Sequence, residues 1–232
     1  MPTGCFNGVA TRANWFLIKA AAILLLACAC LCFGQENPVL RPIEDRPGLP
    51  RVLLIGDSIS MGYTLAVRKL LENEANVHRV PMNAGTTAIG LFNIDPWLRD
   101  KHWDVIHFNF GLHDLKRMAD GEPQVPIELY ERYLRLIVKR MRATGAQLIW
   151  ATTTPFPEGV VPERRPADVA IYNAAARRVM DPNGIAIDDL NALAARRLSE
   201  IQLPKNVHFT PAGGEVLAAQ VAASIRKALK KE

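Results

Sequence analysis

A serine stands at the point where chemistry could start. Val52-Leu53-Leu54-Ile55 is a short apolar run stopped by Gly56, and Asp57-Ser58 follow at once. Such a run, closed by glycine, reads as a buried strand. From Met61 to Leu71 the apolar residues take helical spacing. Ser58 therefore falls where a strand turns into a helix. Open α/β sheets bind ligands outside the carboxyl ends of their strands. The unpaired N–H groups of a first helical turn can hold a negative oxygen there. Ser58 is thus a candidate nucleophile; the plain alternative is a helix cap, a role that Ser and Asp often fill. Three other places carry the residue types that acyl transfer needs. They are the small-residue run 83–90, His113 within Gly111-Leu112-His113-Asp114, and His208 within Asn206-Val207-His208-Phe209. Acyl transfer requires a hydroxyl nucleophile, a base within hydrogen-bond reach, and donors aimed at the developing oxyanion. Ser58 supplies the first and His208 the second, and the amides of Ser58 and of the 83–90 run supply the third.

These residues need elements to position them. The pattern predicts strands at 52–56, 76–80, 103–110, 147–152 and 185–188. Helices are expected over about 60–74, 92–99, 127–143, 167–180, 189–200 and 211–230. Residues 103–110 are apolar on both faces, the mark of a central strand. Along 127–143, Leu129, Tyr133, Leu136, Ile137 and Arg140 are spaced for one amphipathic helix, and Gly145 fits its C-terminal cap. Pro211 opens the last helix at a favoured place. Strands alternating with helices imply a parallel five-stranded sheet covered on both faces, a three-layer α/β/α sandwich. Right-handed crossovers then bring Ser58, the 83–90 loop, His113 and His208 to one sheet edge.

Taken in order, Gly56-Asp57-Ser58-Ile59, Asn83-Ala84-Gly85, Gly111-Leu112-His113-Asp114 and Val207-His208-Phe209-Thr210 resemble the four blocks of the SGNH/GDSL hydrolase family. The resemblance covers residues 51 to about 225. It implies a flavodoxin-like α/β/α sandwich and ester hydrolysis by Ser58 and His208. It also implies an oxyanion hole built from the Ser58 amide, a second-block amide and a third-block side chain. Counted from Asn83, the second-block amide falls at Ala88; Gly85 is the other choice. Two departures stand out. The family's third block usually reads Gly-x-Asn-Asp, and His113 takes the place of the Asn, whose donor role an imidazole N–H can fill. The family's acid lies three residues before the histidine, where this chain has Lys205. Either Asn206 or a backbone carbonyl orients His208, or an acid from elsewhere such as Asp188 or Asp189 does so, or catalysis is weak or lost. Asp188 and Asp189 also suit the start of a helix.

The remaining residues read more plainly. His107 is expected to be a packed core histidine and His78 and His102 to be solvated. Asp57 is expected to cap or hold the turn, and Trp97, Trp103 and Trp150 to pack in or near the core. Phe156 either lines the substrate pocket or packs its loop. No histidine pair has zinc spacing, and the reading implies neither metal nor cofactor.

The chain has 232 residues, with Lys and Arg numbering 28 against 23 acids. Residues 1–34 carry Arg12, Lys19 and no acid, and Phe16 to Phe33 is apolar apart from Lys19. This is the layout of a secretory signal, with cleavage near Gly34-Gln35. Leu25-Leu26-Ala27-Cys28 also resembles a lipoprotein signal, and an uncleaved anchor is a third reading. Residues 35–50, with several prolines, read as an extended linker, and 51–232 as the esterase domain. All four cysteines lie within the leader, so the mature chain has no thiol nucleophile and no disulfide. Without the leader, 26 bases face 23 acids, a net charge of +3. That charge is scattered over predicted helix faces and excludes a nucleic-acid binder. The expected protein is an exported serine esterase acting on short-chain acyl esters of a small molecule or glycan. A glycan-binding protein of the same fold and a lipase or lysophospholipase are the alternatives. The sequence leaves the oligomeric state open.

Overall fold

Five parallel strands form one sheet in the order β2-β1-β3-β4-β5, with β1 Arg51–Ile55, β2 Asn76–Arg79, β3 Val105–Phe108, β4 Gln147–Ala151 and β5 Ala186–Asp188. This is a computed structural model, and it describes Met1 and residues 37–99 and 101–230. The predicted leader beyond Met1, with its predicted cleavage site and the four cysteines, lies outside the described residues. The sheet and its helices belong to the unit that starts at Val39.

The helices are α1 Ser58–Leu70, α2 Thr87–Leu98, α3 Ile127–Arg142, α4 Pro166–Met180, α5 Leu190–Ala195, α6 Leu198–Ile201 and α7 Pro211–Leu229. The strand order decides their sides. From β1 the chain steps outward to β2; every later step runs the opposite way, to β3, β4 and β5. Right-handed crossovers therefore put α1 on one face and α2, α3 and α4 on the other. The packing agrees: α1 rests on α7, while α2 meets α3 and α3 meets α4. The result is the expected three-layer α/β/α sandwich. The chain direction reverses between β1 and β3, so the crevice at their carboxyl ends is a topological switch point. Ser58 follows β1 and His113 follows β3.

Both central strands are sealed. Val52, Leu54, Val105, Ile106 and Phe108 are fully buried, as a doubly covered parallel sheet requires. His107 is buried with them, and its Nε2 lies 3.0 Å from Asp188 Oδ2. Asp188 Oδ1 accepts from Gln220 Nε2 of α7 at 2.8 Å. Asp188 is thereby committed to a core pair across β4. Trp97, Trp103, Trp150 and Phe156 are buried too, so Phe156 packs its loop.

Several local expectations change. The helix expected at 92–99 starts earlier, at Thr87, because the Thr86 side chain accepts from Ile89 N–H and caps it. The helix expected over 189–200 is two short helices, with Asp189 capping the first at Ala192 N–H. On α3 the buried stripe is Tyr130, Leu134, Ile137, Val138 and Met141, while Leu129 and Leu136 are exposed. The stripe read from Leu129 is thus turned by about one residue. His78 is not solvated: its Nε2 lies 2.6 Å from Asp45 Oδ1, and its ring sits edge-on to Trp103. The predicted linker is tied down as well. Buried Asn76 accepts from Arg46 N–H and donates to the carbonyls of Arg46 and Leu49, which laces this stretch onto the outer strand β2.

Candidate active site

Gly56 sets the turn that carries Ser58. A Cβ on Gly56 would lie 2.7 Å from Ser60 Cβ, so the first turn of α1 can fold back here only over a glycine. The Asp57 side chain accepts from Ile59 N–H at 2.9 Å, the capping role expected of it. Ser58 is the first residue of the helix and is half-buried. Its N–H meets no acceptor among the described residues.

His208 arrives on a tight hairpin. Leu203 N–H donates to His208 C=O at 3.0 Å, and Gln202 pairs with Phe209. The Gln202 side chain donates to the carbonyls of Val207 and Pro155, which anchors the hairpin to the loop after β4. Lys205, at the tip, takes the left-handed conformation with φ +52°. The turn aims the imidazole at α1: His208 Nε2 lies 2.8 Å from Ser58 Oγ. On the other side of the ring, His208 Nδ1 lies 2.8 Å from Asn206 Oδ1.

Proton positions follow from a third contact. The backbone N–H of His208 donates to the same Asn206 Oδ1 at 3.0 Å. A backbone N–H can only donate, so the amide atom facing it is the oxygen. An amide oxygen can only accept, so Nδ1 carries the imidazole proton. Nε2 is then left bare and accepts the Ser58 hydroxyl proton. Asn206 thus fixes the tautomer that a general base needs. Of the orienters open at the sequence level, Asn206 holds the ring. Asp188 is bound to His107 and Asp189 caps α5.

The candidate oxyanion donors divide. Gly85 N–H is already used, donating to Asn83 Oδ1 at 2.9 Å, so Gly85 is withdrawn from the candidate set. Ala88 lies in the first turn of α2, is exposed, and its N–H meets no acceptor among the described residues. His113 is half-buried, and its ring has no hydrogen-bond partner among the described residues. Burial pushes its pKa below the usual imidazole value, and the Arg164 and Lys116 cations push the same way against Asp57. A neutral His113 keeps one N–H to donate and one bare nitrogen.

The second and third blocks are locked together by Asp114. This fully buried carboxylate accepts from Thr87 N–H at 2.8 Å and from Thr87 Oγ at 2.5 Å. It therefore joins the loop of His113 to the first turn of α2, where Ala88 sits. Its second oxygen has no partner among the described residues, and burial raises its pKa to about 7. Gly111, at φ +147°, is equally constrained, since a Cβ there would meet Thr153 Oγ1 at 2.2 Å. Arg164 closes the frame by donating from Nε to Leu112 C=O at 2.8 Å, next to His113. Sequence reasoning missed the Asp114–Thr87 link and Arg164. An acid beside a third-block position and an arginine in a proline-rich loop were the available signals, and neither names a partner. Among the described residues, no cluster of three His, Cys, Asp or Glu side chains could hold a metal ion, and no helix is long and apolar enough to cross a membrane.

Comparison with known proteins bears on the fold and the family. No curated protein sequence matches the chain. Among solved structures, the lipase/acylhydrolase from Enterococcus faecalis is 20% identical with a TM-score of 0.68, covering 77% of this chain and 96% of that one. The acetyl xylan esterase AlAXEase is 15% identical with a TM-score of 0.65, covering 75% and 99%. The acetylxylan esterase Axe2 from Geobacillus stearothermophilus is 20% identical with a TM-score of 0.63, covering 76% and 94%. At these identities the likeness is one of fold. The model of the GDSL-like Lipase/Acylhydrolase family matches residues 54–216, a span that holds Ser58, Ala88, His113 and His208. The chain is therefore a member of the GDSL-like Lipase/Acylhydrolase family of ester-hydrolysing enzymes.

Proposed function

We propose that this enzyme is an exported serine esterase that removes short acyl groups, with Ser58 as nucleophile, His208 as base and Asn206 as its orienter. The observation that carries the reading is the unbroken relay from Ser58 Oγ through both ring nitrogens of His208 to Asn206 Oδ1. Ser58 Oγ attacks the ester carbonyl carbon as its proton passes to His208 Nε2. The carbonyl oxygen becomes an oxyanion facing the N–H groups of Ser58 and Ala88 and the His113 ring. Collapse of the adduct expels the alcohol, which takes the proton from His208. Water then gives its proton to His208 and attacks the acyl-serine, and a second collapse frees the acid and restores Ser58.

The imidazolium formed in each half-reaction rests on a neutral amide. Its Nδ1–H bond to Asn206 is charge-assisted on one side only, so the base works without the Coulombic support of a carboxylate. Export is supported by the charged and apolar layout of residues 1–34. Two structures of similar fold bear the name acetyl xylan esterase. O-acetyl groups on glycans are accordingly the substrate class put forward. The test is hydrolysis of p-nitrophenyl acetate, butyrate and octanoate, and of acetylated xylan, by residues 35–232. The reading predicts turnover that falls with acyl length. It also predicts loss of about 10³-fold or more in Ser58→Ala and His208→Ala, by the usual effect of removing a nucleophile or base. Preference for octanoate would favour the lipase reading, and full activity in Ser58→Ala would overturn the mechanism.

A further inference from the structure

A buried cation lies behind the nucleophile. Arg79 ends β2, is 9% exposed, and forms no ion pair among the described residues. Its guanidinium is directed at the turn that carries Ser58. Nη2 donates to Gly56 C=O at 2.7 Å and to Asp57 C=O at 3.1 Å. Nη1 donates to Ser60 Oγ at 2.5 Å and to Thr64 Oγ1 at 3.3 Å. Nε is buried with no partner among the described residues. Burying a guanidinium without a carboxylate contact is unfavourable, and a residue of similar volume without charge would usually pack there more stably. Desolvation accordingly lowers its pKa, to about 10, which leaves it charged at neutral pH.

The acceptors give the position its meaning. Asp57 C=O and Ser58 N–H are the two ends of one peptide unit. Asp57 C=O takes hydrogen bonds from Arg79 and from Met61 N–H, at 3.1 and 3.0 Å. Hydrogen bonding at a carbonyl polarises the amide and strengthens its N–H as a donor. Gly56 C=O, the other acceptor, also takes Ala84 N–H at 3.1 Å, from the loop that leads to Ala88. Arg79 therefore touches the peptide of one oxyanion donor and the anchor of the strand-to-loop segment that leads to the other.

We infer that Arg79 is a positioning residue for the oxyanion hole, holding and polarising the Asp57–Ser58 peptide from behind so that its N–H meets the transition state. The inference rests on the esterase reading above. It predicts a loss confined to the chemical step, because the ground-state ester carbonyl draws less on that N–H than the oxyanion does.

The experiment compares wild type with Arg79→Lys, Arg79→Met, Arg79→Ala and the double variant Ser60→Ala/Thr64→Val, on p-nitrophenyl acetate. Active sites are counted by fluorophosphonate titration, so kcat is expressed per competent site. Arg79→Met is expected to lose about tenfold or more in kcat per site, with KM within about twofold, the split expected when only the transition state loses support. Arg79→Lys keeps the charge without the fork and should fall between. Guanidinium ions at about 50 mM should restore part of the Arg79→Ala rate, since the ion refills the donor positions. The double variant removes the Nη1 acceptors and the Thr64 Oγ1 bond to Ser60 C=O, leaves both Nη2 bonds in place, and should stay within about threefold of wild type. A merely structural arginine would lower the melting temperature and the count of sites and leave kcat per site unchanged, and that result overturns the inference. A comparable loss in the double variant would assign the effect to bracing of α1 and overturn it as well. That variant decides alone if the Arg79 variants do not fold. A wild type that neither turns over nor labels at Ser58 removes the esterase reading itself, while an active wild type with an unaffected Arg79→Met removes only the role of Arg79.

Discussion

Replacing Asn206 by Asp should make this enzyme faster and move its acid limb to higher pH. Asn206 Oδ1 accepts both the Nδ1–H and the backbone N–H of His208, at 2.8 and 3.0 Å. An aspartate oxygen accepts the same pair in the same place. Asn206 Nδ2 donates to nothing among the described residues, so a second carboxylate oxygen there forfeits no hydrogen bond. What changes is charge. In the transition state the ring is an imidazolium, and its bond to Oδ1 becomes charge-assisted on both sides, worth about 1 kcal/mol more than to an amide. At about 4 Å the Coulombic term runs from about 1 kcal/mol in water to about 4 kcal/mol at a protein-like dielectric. His208 is exposed, which holds the gain near the lower end, about 1–2 kcal/mol in total. That corresponds to roughly five- to thirtyfold in kcat. The carboxylate favours the charged ring, so the acid limb of kcat/KM should move to higher pH. The assay is stopped-flow hydrolysis of p-nitrophenyl acetate from about pH 5 to 9, a range that brackets histidine titration, for wild type, Asn206→Asp and Asn206→Ala. Asn206→Ala should lose about tenfold or more and leave the tautomer unfixed. If Asn206→Asp matched Asn206→Ala and its acid limb stayed in place, the claim that Asn206 orients the base would be refuted.

Other expectations follow from the same geometry. His113→Ala removes a donor from the oxyanion pocket and should lower kcat by about 10²-fold or more with little change in KM, measured by steady-state kinetics. Asp114→Asn retains an oxygen for Thr87 and removes the ionisable group. Because the folded pKa of Asp114 is raised from 3.8 to about 7, its ionisation opposes folding as pH rises through that window. The stability of the Asp114→Asn variant relative to wild type, read from urea denaturation, should therefore climb between about pH 4 and pH 7, by up to about 4 kcal/mol, and level off above. A difference that did not vary with pH would remove that account. Gly213→Ala places a Cβ 2.1 Å from Ile201 C=O beneath the hairpin of His208. It should cost about 1–3 kcal/mol in thermal denaturation and lower activity with it.

The strand-and-helix pattern was legible because each central strand is a short apolar run bounded by turn residues, and parallel topology then forces the loops to one edge. Ser58 and His208 were legible for the same reason: a serine after a strand and a histidine before the last helix land in one crevice. What could not be read was which groups already have partners. Gly85 looked as good a donor as Ala88, and only the Asn83 side chain, which takes the Gly85 N–H, separates them. The start of α2 depends on the Thr86 cap, a contact of one hydroxyl with one amide that apolar periodicity does not see. The α3 stripe was misplaced because its apolar residues Leu129 and Leu136 cover solvent-facing positions while Tyr130 turns inward, its hydroxyl donating to Phe110 C=O at 2.9 Å. Arg79 and Asp114 are buried polar groups whose partners lie 15 or more residues away in the chain. Such pairings depend on tertiary distance, which local pattern does not carry.

The central claim is that Ser58 is a nucleophile activated by His208. It is tested most directly by exposing the wild-type protein to a fluorophosphonate and mapping the adduct by peptide mass spectrometry while p-nitrophenyl acetate turnover is followed. One phosphonyl group per chain is expected, on Ser58, with activity lost in proportion to labelling and labelling abolished in His208→Ala. Turnover that persists in fully labelled protein, or an adduct on another residue, would contradict it.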